Sequence, residues 1–204
     1  MDDMATIADG RRARGDESRR QVMERAVDLA STNGLEGLSI GGLAAETDRS
    51  KGGVVALFGT KEQLQLATIE AAREIFIERV VAPALAVPGG RDRVRALLEG
   101  WLDYSEGRVF SGGCFFAAAS MEVGARPGPL RDAVAVALAD WHETVRRVIQ
   151  RAIDRGELAP TVDARQLTFE VTALLDGANS ASRLGDSPEP YARARAALAR
   201  LLDG

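Results

Sequence analysis

Ser39, Ser50 and Thr60 each stand immediately before a stretch able to form a helix, with Arg49, Lys51 and Lys61 beside them. A serine or threonine in that place accepts hydrogen bonds from the free amides of a helix N-terminus. Those amides and the positive end of the helix dipole attract phosphate oxygens, and a neighbouring lysine or arginine reaches phosphates or base edges. The chemistry these residues suit is recognition of an anionic polymer. Bond-making chemistry has no matching set. The chain holds one histidine, His142, and one cysteine, Cys114, so neither a Ser-His-Asp constellation nor a zinc cluster is assembled, and no phosphate loop occurs. No catalytic residue, cofactor or metal site is expected.

The elements that must position these residues lie between Ser39 and Lys61. Ser39 precedes Ile40, Leu43 and Ala44, whose spacing puts them on one face of a short helix. Thr47, Asp48 and Arg49 interrupt it, and Ser50 caps a second helix running through Leu57. Gly59 ends that helix, and Thr60 starts a third, apolar at Leu64, Ala67 and Ala71. The pattern reads as a helix-turn-helix, with three helical turns of an ordinary all-α core as the alternative.

Composition sets the wider frame. The chain has 204 residues, enough for a substantial core, with a formal net charge of −4. An acidic total argues against indiscriminate coating of nucleic acid, although a local basic surface suffices for DNA. Alanine, leucine and arginine dominate and no alternating segment occurs, so the fold class is all-α. A lone cysteine fits a reducing compartment, and neither a signal peptide nor a membrane-spanning run is evident. A soluble cytoplasmic protein is expected, with no membrane partner. Residues 1–16, with Arg11, Arg12 and Arg14, lack a periodic apolar face and read as a flexible arm. From Ser18 a first helix carries Val22, Ala26, Leu29 and Ala30 and stops at Gly34.

The stretch from Ala30 to Lys61 resembles the DNA-binding domain of the TetR (tetracycline repressor) family. The resemblance rests on Asn-Gly-Leu-Glu-Gly-Leu-Ser at 33–39, Leu43-Ala44, Ser50-Lys51-Gly52, Phe58 and Lys61-Glu62. It implies about nine helices: a DNA-binding domain over 17–62, then an effector-binding and dimerisation domain over 63–204. Helices 1 to 3 would bind operator DNA, 4 to 7 enclose a small-molecule effector, and 8 and 9 form a homodimer. A reading helix enters the major groove with its first turns, which selects Lys51, Gly52, Gly53, Val55 and Ala56, with Lys51 the best polar reader. Ser39, Thr60 and Lys61 would position phosphates, Ser50 caps the reader, and Arg49 takes phosphate or guanine. Three positions depart from the family. Val55 stands where a tyrosine is common and Leu57 where a histidine is common, while Gly41 offers no side chain. Apolar contact of Val55 or Ala56 with a thymine methyl and readout of DNA shape then carry more of the specificity.

The rest of the chain is compatible. A helix from Lys61 is expected to end near Ala82, before Pro83. A fifth follows Pro88-Gly89-Gly90 with Val94, Leu97, Leu98, Trp101 and Leu102 on one face. A short apolar helix spans Cys114 to Val123, and a long one runs from Pro129 towards Gly156. Asp163 and Gln166 have capping-box spacing at the head of the eighth, and a ninth follows Pro188 and Pro190. Trp101, Tyr104, Phe115, Phe116, Met121, Trp141 and Asn179 are the candidate effector-binding residues, since aromatic walls with few polar groups suit a largely apolar ligand. Leu167, Val171, Leu174, Ala178, Ala181, Leu198 and Leu201 are the candidate dimer interface, aided by small residues that allow close helix approach. Their alternative role is intramolecular core. Cys114 as an oxidant sensor and His142 as a ligand or metal contact are each set against an inert structural role.

The expected function is a homodimeric transcriptional regulator, a repressor in the commonest form, released from a palindromic operator by its effector. Competing readings are a helical small-molecule binding protein or enzyme without DNA affinity, and a DNA-binding architectural protein without an effector.

Overall fold

A computed structural model describes residues 3–203, with side chains for 17 and 19–203. Residues 3–16, expected as an arm ahead of a helix from Ser18, are instead part of the first helix, which begins at Asp3. All regular structure among the described residues is helical.

Helix α1 (Asp3–Gly37) is broken at Gly34, whose backbone (φ 78, ψ 164) is not helical. This is the stop that Asn33-Gly34 predicts. Helix α2 (Ile40–Glu46) follows, then α3 (Lys51–Phe58), and each begins as its cap residue dictates. Ser39 Oγ accepts from Gly42 N at 3.0 Å, and Ser50 Oγ accepts from Gly53 N at 3.0 Å. Thr60 and Gln63 form a reciprocal capping box, with Gln63 N donating to Thr60 Oγ1 at 3.2 Å and Thr60 N to Gln63 Oε1 at 2.9 Å.

Helix α4 does not end before Pro83. It runs over 61–86 in three continuous pieces, α-helical at Lys61–Phe76, π-helical at Ile77–Val81 and α-helical again at Ala82–Ala86. Proline lacks an N–H and its ring collides with the carbonyl four residues back in an unbroken α-helix. One wide turn displaces that carbonyl, as the Ala82 N–H bond to Ile77 O shows.

The body is completed by α5 (Arg91–Glu106), α6 (Phe115–Val123), α7 (Pro129–Asp154), α8 (Ala164–Gly185) and α9 (Glu189–Asp203). Asp163 caps α8 by accepting from Arg165 N and Gln166 N. The reciprocal half of a box is missing because the Gln166 amide donates to Glu170 instead, at 2.9 Å. Helix α8 packs between α7 and α9, and α9 also rests on α5. There Arg195 is gripped by Glu99, Asp103 and Glu106 at 2.9, 2.7 and 2.6 Å.

One continuous core joins head and body. Val22, Ala26, Leu38, Leu43, Val54 and Phe58 fill the head, and Trp101, Leu102, Phe115, Ile149, Leu175 and Tyr191 fill the body. Helix α4 packs on α1 and α3 of the head and on α7 of the body, which makes it the mechanical link. No described helix is long and apolar enough to cross a membrane.

Candidate functional site

The outward face of the head is set by what α3 buries. Val54 and Phe58 point into the core, which leaves Lys51, Gly52, Val55 and Ala56 exposed on one side. Val55 is 48% exposed, a large apolar residue facing solvent. A Cβ at Gly52 would meet nothing within 4 Å. The fold itself therefore does not require glycine there, whereas close approach of another molecule's backbone does. At Gly41 the reason differs: a Cβ would lie 3.2 Å from Lys51 Cε and 3.6 Å from its Nζ. The missing side chain makes room for the Lys51 stem, which crosses the start of α2 and brings the ammonium to the junction of the two helices.

The other expected DNA contacts are partly engaged within the chain. Lys61 Nζ donates to Glu36 O at 2.7 Å and lies 3.4 Å from its carboxylate. The Ser39, Ser50 and Thr60 hydroxyls are occupied as caps, so what these positions offer outward is the rest of each helix N-terminus. Arg49 is exposed beside them. Arg19 escaped the sequence reading: its guanidinium donates to Leu57 O at 2.8 Å and sits 4.9 Å over the Phe58 ring. It pins the end of α3 to α1. Arg25 likewise ties α1 to α2 through Glu46 at 2.5 Å.

Two further contacts fasten this head to the body. The Glu122 carboxylate on α6 accepts from Leu35 N and Glu36 N, each at 2.7 Å. It occupies the space above Gly34, where a Cβ would come within 2.7 Å of Oε2. Next to it, the loop before α6 lies on α1, with Ser111 N donating to Asp28 Oδ1 at 2.8 Å and Gly112 N to Ser31 Oγ at 3.0 Å. A side chain at Gly112 would collide with the Ser31 carbonyl. The same loop reaches α8: Cys114 N donates to Asn179 Oδ1 at 3.1 Å, Ser105 Oγ to that oxygen at 3.0 Å, and Ser105 shares a 2.7 Å hydrogen bond with Tyr191. Asn179 is thus a buried crosslink among α5, α8, α9 and the loop.

Inside the body a cavity of about 370 Å³ opens between α4, α5, α6, α7 and α8. Of the expected effector residues it is lined by Trp101, Phe116 and Trp141. Tyr104, Phe115 and Asn179 are buried elsewhere, and Met121 is 88% exposed on the outer side of α6. Phe76, an edge-on neighbour of Tyr104, Trp141 and Phe116, adds a fourth aromatic wall. Ion pairs belong to the lining too: Arg73 with Asp140 at 3.0 Å, and Arg147 with Glu143 at 2.6 Å. Hydrogen bonds from Arg146 and Arg147 hold the Glu143 carboxyl at about 2. Burial lowers the pKa of His142 and raises that of Asp176, both part of the lining. It also pushes the Cys114 thiol up to about 12. Such a thiol carries almost no thiolate at neutral pH. The described residues contain no cluster able to hold a metal.

The candidate dimer residues fall mostly inside the chain. Leu167, Val171, Ala178 and Leu198 are buried, Leu174 and Leu201 half-buried, and Ala181 exposed. The face that α8 leaves open is rotated from theirs and carries Phe169, Ala173, Gly177, Ser180 and Leu184, with Phe169 68% and Leu184 93% exposed. On α9 the open face carries Ala192, Ala196 and Ala199.

A head of one long and two short helices with a capped helix-turn-helix, joined to a helical body with a cavity, defines a class of regulator. Residues 90–198 match the tetracyclin repressor-like C-terminal domain model. A TetR transcriptional regulator from Chloroflexus aurantiacus is 33% identical and superposes with a TM-score of 0.84, covering 92% of this chain and 95% of that one. The chain belongs to the TetR family of transcriptional regulators. Two more distant structures share the fold. A regulator from Saccharomonospora viridis in complex with choline is 22% identical, with a TM-score of 0.78, covering 92% of this chain and 96% of that one. AibR in complex with isovaleryl coenzyme A and operator DNA is 20% identical, with a TM-score of 0.66 and coverage of 80% and 86%. A comparison with curated protein sequences finds no match.

Proposed function

We propose that the protein is a homodimeric repressor that binds a palindromic operator through α2 and α3 and is released by a small, largely apolar effector in the cavity of its body. The observation that carries this reading is the outward surface of α3, where Lys51, Gly52, Val55 and Ala56 lie together and Gly41 yields space to the Lys51 stem. Lysine supplies a donor to phosphate or guanine, while Val55 and Ala56 suit the thymine methyl. The open face of α8 and α9 supports dimerisation, since Phe169 and Leu184 with intervening small residues form a strip that a second copy can cover. The operator and isovaleryl coenzyme A held by AibR, and the choline held by the Saccharomonospora viridis regulator, support DNA and small molecules as ligands of this fold. Release follows if the effector binds more tightly to a dimer whose reading helices no longer match half-sites about 34 to 36 Å apart.

The test begins with selection of bound sequences from a random DNA pool, which should return an inverted repeat with half-sites about one helical turn apart. Fluorescence anisotropy on that operator should show Lys51→Ala weakening binding by roughly tenfold, the loss of one good contact, with the dimer intact. Unchanged affinity would remove Lys51 from the interface, and failure to select any sequence would overturn operator recognition.

A further inference from the structure

The composition of the cavity wall goes beyond apolar. Arg73 is held by Asp140 at 3.0 Å and by Glu70 at 3.4 Å, and Arg147 is held by Glu143 at 2.6 Å. The cations of the lining are therefore already matched by carboxylates. Burial opposes the charging of His142, the remaining basic group of the lining. Asp176 is left over. It projects from α8 at the rim of the cavity, where water still reaches it, and no cation or hydrogen-bond donor holds it among the described residues. Deeper in, Phe76, Trp101, Phe116 and Trp141 present aromatic rings. A ring attracts a cation through its quadrupole, and a carboxylate crowded by protein attracts it more strongly than one in open water. An anion meets Asp176 unfavourably, and a neutral ligand gains nothing from its charge.

We infer that the effector is a monovalent organic cation with an apolar or aromatic body, its charge set against Asp176 and the aromatic rings. This rests on the cavity being the effector site. The charge preference is a property of the cavity itself, however, and is measurable without DNA.

Benzyltrimethylammonium and neopentylbenzene have the same shape and differ by one charge, and phenylacetate supplies the anionic counterpart. Both tryptophans of the chain, Trp101 and Trp141, line the cavity, so intrinsic fluorescence reports on occupancy. The full-length protein should bind benzyltrimethylammonium saturably and roughly tenfold more tightly than neopentylbenzene, the order expected when a partly desolvated charge is matched. Asp176→Asn should remove that preference while leaving neopentylbenzene unchanged. Equal binding of the two isosteres, tighter binding of phenylacetate, or binding of none of the three would overturn the inference on the unmodified protein, whether or not the variant folds. Operator release is followed in parallel. Cation binding without release overturns the effector role and leaves the charge preference standing. Release by neopentylbenzene or phenylacetate but not by the cation does the reverse.

Discussion

Replacing Glu122 by alanine tests the join between head and body. The carboxylate receives two amide hydrogen bonds of 2.7 Å from Leu35 and Glu36, residues more than eighty positions away in the chain. Hydrogen bonds to a charged group contribute about 1.5–3 kcal/mol each where fully sheltered, but Glu122 is half-buried and water can reach the freed amides. A combined loss of about 2 kcal/mol follows. For a chain of this size that lowers the melting temperature by about 4–8 °C. Gly34→Ala strikes the same contact from the other side, since it forces a side chain into a backbone with φ of 78° and towards Glu122 Oε2. Strain of that kind costs about 1–3 kcal/mol. The two substitutions share a partner, so the double variant should lose less than the two single losses together. Differential scanning calorimetry of the four proteins measures this, and hydrogen exchange at Leu35 and Glu36 localises it. A Glu122→Ala protein melting within 1 °C of the parent, with both amides equally protected, would refute the join.

Leu184→Glu and Phe169→Glu place charge on the open strip of α8 and should convert a dimer into a monomer by light scattering while leaving helicity intact; a dimer of unchanged stability would move the interface elsewhere. His142, the only histidine, should titrate by NMR below its ordinary 6.5, because burial disfavours its charged form. The unfolded chain then takes up this proton first, so stability declines as pH falls from about 6.5 to the folded value and the effect levels off below it; a measured value at or above 6.5 would contradict the burial. Cys114, with its thiol near 12, should react with iodoacetamide at pH 8 far more slowly in the native protein than in denaturant. Equal rates would reopen a sensing role.

What was legible in the sequence is local chemistry. Ser39, Ser50 and Thr60 cap because a hydroxyl within reach of free amides needs no distant partner, and the apolar spacing of each helix reports a buried face directly. Pro83 misled because its usual effect is to end a helix, and only the π turn at 77–81 shows how the chain passes it. The candidate dimer residues were chosen by the same periodicity. Periodic leucines and valines mark the side that a single chain buries for itself. Thus Leu167, Val171 and Ala178 went inward, and the side that α8 leaves open carries Ala173, Gly177, Ser180 and Ala181 instead. Of the seven candidate effector residues, Trp101, Phe116 and Trp141 line the cavity and the other four do not: composition selects aromatics, but the fold decides that Phe116 lines the cavity while Phe115 next to it fills the core.

Contacts between distant segments left a fainter trace, and it lies in the glycines. Gly34 and Gly112 read in sequence as punctuation, a helix stop and a loop. In the fold each is also a place where another part of the chain needs the space of a side chain: the Glu122 carboxylate at Gly34, and the Ser31 carbonyl at Gly112. Gly41 serves Lys51 in the same manner. A glycine that only turns the chain tolerates a polar residue of compatible conformation, whereas one that receives a neighbour does not. Gly52 has open space around it and no such neighbour within the chain. Gly52→Ala should therefore leave the melting temperature unchanged or slightly raised, as expected for alanine in a helix, and weaken operator binding through lost close approach. If affinity survives Gly52→Ala and Gly52→Ser alike, the first turn of α3 stands away from the DNA, and Val55 and Ala56 lose their place in the interface with it.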